Sequence, residues 1–389
     1  MPINPEPLAA SVAATHDRYL EELASLVNLD CGSYTPAGVN RVADHVAGEL
    51  TALGARVERI RHAPLDGAPQ LGDLVIGRLA GEGPRLLLIG HMDTVFEPGT
   101  AAARPYRVEG GRAHGPGVTD MKAGLLAGLH ALGALHAAGA RPSVTFVANP
   151  DEEIGSPFST DHIRGLVAEH DVALVLECAR ANGDIVSARK GIADAEVVLT
   201  GRAAHAGIEP EKGRHAILAA AGQVERLQAL NGRWPGVTVN VGVITGGTRP
   251  NVVPAACRYE VDLRAADAAA FDAAWAALEE VVAAPIPDGT TAVLRRLAHH
   301  PPMERTAATA RLVELASRLA GELGFQLRDA ATGGASDANT TAAAGLPTLD
   351  GLGPIGGDDH SDDEWLDLAS IVPRVVLLAS LIDRVGEAL

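Results

Sequence analysis

The sequence predicts an α/β chain of two domains: a mixed sheet with helices on both faces, carrying an inserted α+β domain of ferredoxin-like order. Three observations lead there. The chain has 389 residues, more than one hydrophobic core ordinarily serves. Its first and last parts alternate strand and helix periodicities, the pattern of a sheet covered on both faces. Its middle reads β-α-β-β-α-β, a unit able to fold as a compact domain of its own.

In chain order, residues 13–27 and 37–53 carry the apolar period of amphipathic helices, and 57–60, 73–79 and 85–89 read as strands. Residues 123–140 (AGLLAGLHALGALHAAGA) have no formally charged side chain, two histidines and four glycines. That run barely reaches the roughly 18–20 residues of a membrane span, so a helix near 120–139 buried inside a soluble domain is expected, and no membrane partner. A strand at 143–148, a helix near 160–169 and an apolar strand at 172–176 follow. In the middle, 193–200, 237–244, 257–263 and 291–297 read as strands, and 213–230 and 267–283 as helices. Turns are expected at Arg189-Lys190-Gly191 on entry and at 299–303, which holds Pro301-Pro302, on exit. A helix at 306–322, a short helix after Ser336, a strand at 347–349 and a helix at 369–386 resume the first pattern. The expected domains are therefore 1–188 with 303–389, and an insert at 189–302.

Composition narrows the function. Hydrophobic residues make up 47% and charged residues 21%, a globular balance. Lys+Arg number 32 against Asp+Glu 49, a formal charge of −17, and aromatics are 3%. An acidic surface repels phosphate backbones and few rings are present to stack on bases, so nucleic acid is not an expected partner. Cys31, Cys178 and Cys257 are odd in number and widely spaced, with no CxxC pattern, which fits reduced thiols in a cytoplasmic protein. The opening MPINPEPLAAS lacks a basic segment and a long apolar run, so no signal peptide is expected.

Five segments carry candidate chemistry. LLLIGHMDTV ends a buried strand and delivers His91 and Asp93, two residues apart and so on one face, where Asp93 can accept the second ring N–H of His91. HGPGVTDMKAG turns at Gly115-Pro116-Gly117 and brings Asp120 to a helix start, where an acid is also favoured simply as a cap. VTFVANPDEEIGS runs into Asp151, Glu152 and Glu153, adjacent carboxylates that repel one another unless a cation is near. VALVLECAR delivers Glu177 from an apolar strand, with Cys178 beside it directed to the opposite face and not a ligand. GGDDHSDDEW carries His360 in an acidic loop. Each alone has a plain structural reading as a strand end, cap or solvated loop. Together, two histidines and three carboxylates serve two metal ions if one carboxylate is shared. Each ion then has a histidine, a private glutamate, the shared Asp120 and a water, the four contacts zinc prefers. Glu152 is left as the general base that takes a proton from the activated water and passes it to the leaving nitrogen.

GHMDTV, GPGVTDMKAG, NPDEEIGS, LVLE, AAHAG, NVVPA-x6-DLR, TGGASDA and the late HS together resemble the M20 family of metallopeptidases, in its glutamate carboxypeptidase-like branch, over about residues 20–385. The resemblance implies a di-zinc exopeptidase-type catalytic domain and an inserted lid domain through which a homodimer forms. It implies two Zn2+ per subunit, with Co2+ or Mn2+ as substitutes, and a small peptide or N-acyl amino acid substrate. By the same resemblance His91 and Glu177 would hold one zinc and Glu153 and His360 the other. Asp120 would bridge them, Glu152 would be the base and Asp93 the orienting acid. His205 would reach the partner's site to stabilise the oxyanion. Asn251 and Arg264 would bind substrate, and Gly333, Gly334 and Ser336 its carboxylate. The chain departs from the family at Ala123, where glycine is frequent, and at Cys178, where proline is common. Residues 297–303 (LAHHPPM) lack the arginine segment associated with glutamate preference.

The expected activity is thus hydrolysis of an amide bond next to a free carboxylate, by carboxypeptidase or by N-acyl-amino-acid deacylase action of the acetylornithine or succinyl-diaminopimelate type. Gly334-Ala335-Ser336-Asp337-Ala338 approaches a serine nucleophile elbow but lacks its last glycine and an HGGG-type loop. A non-catalytic metal-binding protein on the same scaffold is opposed by the intact Glu152 and ligand set.

Overall fold

The computed structural model describes Ile3, residues 5–65 and residues 67–389. The chain divides into two compact units, Met1–Ser187 with Arg305–Ala331 and Ser336–Leu389, and Ala188–Glu304 with Thr332–Ala335. The second unit thus takes in a four-residue segment that the sequence places in the first domain.

The first unit is built on β1 (Arg56–Ile60), β2 (Leu74–Leu79), β3 (Glu82–His91), β4 (Pro142–Asn149), β5 (Val172–Val175) and the short strand Thr348–Leu349. Their spatial order is β1-β2-β4-β3-β5 and then Thr348–Leu349. The β1–β2 and β2–β4 pairs are antiparallel, and β3 with β4, β3 with β5 and the last pair are parallel, so the sheet is mixed. On β3, Leu86 and Leu88 face one way and Leu87 and Ile89 the other, yet all four are buried. Both faces are therefore covered, and the run reads as continuously apolar rather than alternating.

The segment 123–140 is the buried helix Ala123–Ala137, which packs on β3 and on the helix Ile371–Arg384. Two of its glycines explain its composition. A Cβ at Gly124 would lie 1.8 Å from the carbonyl oxygen of Leu176, and one at Gly128 2.7 Å from a Leu176 methyl. Small residues four apart let the helix lie directly against the chain leaving β5. Among the described residues no helix is long and apolar enough to cross a membrane.

The expected helix at 13–27 is two helices, Pro5–Ala14 and His16–Val27. The others fall within a few residues of expectation.

The second unit runs β6 (Gly191–Thr200), helix Ala216–Gln228, β7 (Thr238–Gly246), β8 (Ala256–Ala265), helix Ala268–Ala283 and β9 (Thr291–His300). The sheet order β7-β8-β6-β9, antiparallel throughout, is that of the ferredoxin-like fold. Alternate residues of β6 (Ala193, Ala195, Val197, Leu199) join Phe271, Trp275 and Leu278 in its core. The exit turn begins later than expected, because a bulge between Arg296 and Ala298 lets β9 stay paired as far as His300 opposite Ile192.

Gly124→Ala is expected to overpack the helix against Leu176 and destabilise the protein by roughly 1–3 kcal/mol. The reading is a lower urea midpoint at unchanged m-value; an unmoved midpoint would mean that the helix shifts freely.

Candidate metal centre and active site

Three adjacent parallel strands end at the same edge of the sheet, and each delivers candidate ligands there, as open α/β sheets do. His91 is the last residue of β3 and pairs with Asn149, the last of β4. Glu152 and Glu153 open the short 3-10 turn Glu152–Ile154 beyond β4. Glu177 lies two residues beyond β5 and is buried.

Asp120 does not cap the helix, the plain structural alternative to its reading as a shared ligand. It sits in the turn Val118–Lys122, with non-helical φ −111° and ψ 95°, ahead of a helix that starts at Ala123, and its peptide bond to Met121 is cis. His360 lies in the loop between Gly356–Gly357 and Trp365–Asp367, which pair with each other. Trp365–Asp367 also pairs with Arg112–His114, just ahead of the Asp120 turn. This small ribbon brings the end of the chain to Asp120. Its two- and three-residue strands carry no periodicity that sequence reading can detect. Asp358 and His360 adopt positive φ (57° and 62°), a conformation costing non-glycine residues about 1–2 kcal/mol each. The indole N–H of Trp365 donates to Asp358 (3.0 Å), and the Arg104 guanidinium donates to the Ser361 carbonyl (3.1 Å), fixing the loop.

The five candidate ligands converge. His91 Nε2 lies 3.0 Å from Asp120 Oδ1 and 3.8 Å from Glu177 Oε1. His360 Nε2 lies 3.1 Å from Asp120 Oδ2 and 3.1 Å from Glu153 Oε2. Asp120 therefore turns one oxygen to each imidazole. Ligand atoms about 2.0–2.1 Å from one tetrahedral zinc stand about 3.3 Å from each other. The observed separations fit one His–Glu pair on each side of a shared carboxylate. Glu152 carries a carboxylate oxygen within 4.8 Å of ligand atoms of both His91 and Glu177.

Electrostatics agree with a cation site. Asp120, Glu152, Glu153 and Glu177 are four carboxylates facing two imidazoles. Burial alone would raise Asp120, but His360 and His91 hold it far below the usual carboxylate range. Burial, only partly offset by His91, raises Glu152 well above that range, with Glu177 and Glu153 adding to the effect. Burial also raises Glu153 against its bond from His360. Asp120 and Glu153 lift His360 to about 11. Burial would keep His91 neutral, yet Glu177, Asp120 and Asp93 raise it well above its ordinary value. In the metal-free protein the imidazoles are drawn toward the cationic form by excess negative charge. That excess is what divalent ions relieve.

Asp93 does more than the expected orientation of His91. His91 Nδ1 is 3.0 Å from the Asp93 main-chain carbonyl and 3.4 Å from its carboxylate, so the backbone is the nearer partner. The carboxylate instead accepts the N–H of Glu152 (3.1 Å), the N–H of Glu153 (3.2 Å) and the Ser33 hydroxyl (2.6 Å). One buried acid thus links the His91 strand to the turn carrying Glu152 and Glu153. Asn149 and Ser156, at either end of that turn, donate to Asp337 (2.6 and 2.7 Å). Sequence reading missed Ser33, Asn149, Ser156 and Asp337. Asn149, Ser156 and Asp337 lie inside motifs already quoted; Ser33 in DCGSYTP carries no signal. Cys178 stays outside the ligand set, its buried Sγ 3.7 Å from Asp359.

The remaining expected residues are placed differently. Ser336 belongs to the first unit, is buried, donates to Asp350 (2.8 Å) and caps the helix Asp337–Ala343 by accepting the Ala338 N–H, so its hydroxyl is engaged in structure. The others lie in the second unit. His205 and Asn251 are neighbours there: Ala204–His205 pairs with Val252–Val253, and the Ala206 N–H donates to the Asn251 carbonyl (3.0 Å). His205 is exposed, with Nδ1 accepting the Gly207 N–H (3.1 Å). The guanidinium fork of Arg264, expected to grip a substrate carboxylate, is held by Asp262 (2.9 Å), and its Nη1 donates to the Gly333 carbonyl (2.9 Å). Gly334 is exposed, and its carbonyl accepts from Arg189 (3.1 Å).

Residues 87–384 match the profile of peptidase family M20/M25/M40. The chain is 33% identical over 386 residues to carboxypeptidase G2 of Pseudomonas sp. (strain RS-16), covering 96% of this chain and 91% of the relative. It is 30% identical over 255 residues to the acetylornithine deacetylase of Myxococcus xanthus, covering 62% and 65% respectively. Its fold is similar to the crystal structure of aminopeptidase PepT from Bacillus cereus, at a TM-score of 0.75 and 23% identity, covering 95% and 98%.

Asp93→Ala is expected to leave the His91–Asp120 contact in place but loosen the Glu152–Glu153 turn. Divalent-metal affinity and turnover should each fall roughly 10–100-fold; zinc titration and turnover both at wild-type levels would remove Asp93 from this role.

Proposed function

The chain belongs to peptidase family M20/M25/M40, and within it we propose that it hydrolyses the amide bond next to the free carboxylate of a small peptide or N-acyl amino acid, using two divalent ions. The observation that carries this reading is the split of Asp120, with Oδ1 on His91 and Oδ2 on His360 at nearly equal distances. His91 and Glu177 would hold one ion, His360 and Glu153 the other, and Asp120 both. Zinc suits two imidazoles and three carboxylates, and cobalt or manganese would substitute. When bound, such ions polarise the scissile carbonyl and lower the pKa of a water molecule.

The protein's own groups do the rest. Glu152 stands beside His91 and Glu177, where its carboxylate takes a proton from the attacking water and returns it to the leaving nitrogen. That shuttle is worth typically 10²–10⁴-fold in rate. Asp93, through the N–H groups of Glu152 and Glu153, keeps base and ligand in fixed relation. A carboxypeptidase-type substrate is favoured by the relative that spans nearly the whole chain; deacylation of an N-acyl amino acid is the second reading, supported by the deacetylase relative. Arg264 serves the substrate carboxylate only by exchanging Asp262 for it, which makes it a selective rather than an open grip. The three free cysteines, all buried, support a reducing, cytoplasmic setting.

We further propose a homodimer through the second unit, with His205 acting in the partner's site. Strand β7 is at the edge of its sheet and exposes Val243 and Ile244, an unpaired apolar edge suited to a second copy.

Activity should appear in a screen of dipeptides and N-acyl amino acids supplied with zinc, cobalt or manganese, and vanish with a chelator. Glu152→Gln should keep both metals and lose roughly 10²–10⁴-fold in kcat. Retained turnover would remove Glu152 as the base, and activity indifferent to chelation would end the metal reading. His205→Ala and Glu152→Gln proteins, each nearly inactive alone, should regain partial activity when mixed and allowed to exchange subunits. No recovery, or a monomer in sedimentation, would exclude action across a dimer.

A further inference from the structure

Asp120 can serve two imidazoles only if its turn is held still; one main-chain bond, from the Lys122 N–H to the Gly117 carbonyl (3.2 Å), closes around it. Gly115, Pro116 and Gly117 precede it, and Gly117 has φ +70°. Among residues 116–120, Pro116 has no main-chain donor and the Val118 N–H donates to the Gly115 carbonyl (3.2 Å). The other three all go to one side chain. Glu364 Oε2 accepts the Gly117 N–H (2.9 Å), and Oε1 accepts the N–H groups of Thr119 (2.8 Å) and Asp120 itself (3.1 Å). The carboxyl group of Glu364 is buried, with 1% of the residue exposed. On the other side of the turn the buried Lys122 ammonium donates to the Pro116 carbonyl (2.9 Å). Glu364 lies in the same loop as His360, between the paired Gly356–Gly357 and Trp365–Asp367. One loop therefore supplies both an imidazole for an Asp120 oxygen and the acceptor for the Asp120 backbone.

We propose that Glu364 is a positioning residue of the metal centre: by taking three main-chain N–H groups of the 117–120 turn, it sets the carboxylate of Asp120 midway between the two ion sites. This rests on the reading of Asp120 as a shared ligand. A carboxylate is required because its two oxygens accept from N–H groups on both sides of Val118. An amide offers one acceptor and turns an NH2 group against an N–H. Loss of this clamp frees the turn, and with it the one ligand common to both ions, so both sites weaken together.

The test compares zinc affinity, by competition with a chelating indicator on the full chain, among wild type, Glu364→Gln, Glu364→Asp and Leu381→Ala. The last removes a buried side chain of the helix Ile371–Arg384 and controls for lost stability, which melting of the zinc-free proteins reports. Glu364→Gln is expected to weaken zinc binding roughly 10–100-fold, beyond any loss in Leu381→Ala of equal or lower melting temperature. It should also lower kcat more than it changes KM. Glu364→Asp, whose oxygens are withdrawn by one methylene, should fall between; if the glutamine variant does not fold, the aspartate variant decides. Zinc affinity at the wild-type level, or weakened no more than in Leu381→Ala, overturns the proposal. Wild-type protein that takes up no zinc overturns the metal-centre reading and this proposal with it.

Discussion

Asp120 presents Oδ1 to His91 at 3.0 Å and Oδ2 to His360 at 3.1 Å, and the two histidines come from segments far apart in sequence. A carboxylate shared in this way fixes the separation of whatever sits on either side of it. The rest of the first unit is arranged around that constraint. The sheet sets His91, the Glu152–Glu153 turn and Glu177 side by side, because β3, β4 and β5 are adjacent and parallel. The ribbon of short strands brings His360 from the opposite side. Each imidazole then has a glutamate of its own and a share of the aspartate.

Charge explains why so many buried hydrogen bonds surround the centre. Four carboxylates gathered in a pocket repel one another, and burial amplifies the repulsion. The loops bearing them would drift apart unless tied down. Asp93 ties the base turn to the His91 strand, and Asp337 ties its two ends. These acids accept from N–H and O–H donors, which satisfies their own charge without adding a cation that would compete with metal ions. The acids thus fall into two groups: Asp93 and Asp337 are satisfied by protein donors, and Asp120, Glu152, Glu153 and Glu177 form the group that could hold metal ions.

The second unit obeys a different logic. It has its own core and carries Arg264 on the ferredoxin-like sheet and His205 and Asn251 at a separate two-stranded pairing, each already engaged by local main-chain or side-chain partners. Such local partners are weaker constraints than the strand ends and buried hydrogen bonds that hold the candidate ligands of the first unit.

Much of this was legible in the order of residues. The alternation of strands and helices and the inserted β-α-β-β-α-β unit follow from apolar periodicity, and the candidates His91, Glu152, Glu153 and Glu177 stand at or just past the ends of apolar strands, whereas Asp120 lies in a turn and His360 in a loop. Buried parallel strands leave a strong apolar signal, and polar residues at their ends stand out against it. Tertiary structure alone decided the rest. In isolation Asp120 reads as readily as a helix cap as a ligand, because local pattern cannot distinguish a cap from an acid in a turn held by a distant glutamate. Arg264 is the exception, since Asp262 across its fork lies two residues earlier on the same strand, within reach of the i, i+2 pattern. Ser336 reads as a substrate contact, yet burial commits its hydroxyl to Asp350. The physical reason is common to Asp120 and Ser336: periodicity records which face of an element is buried, while the partner of such a polar group is set by chain segments that sequence proximity does not reveal.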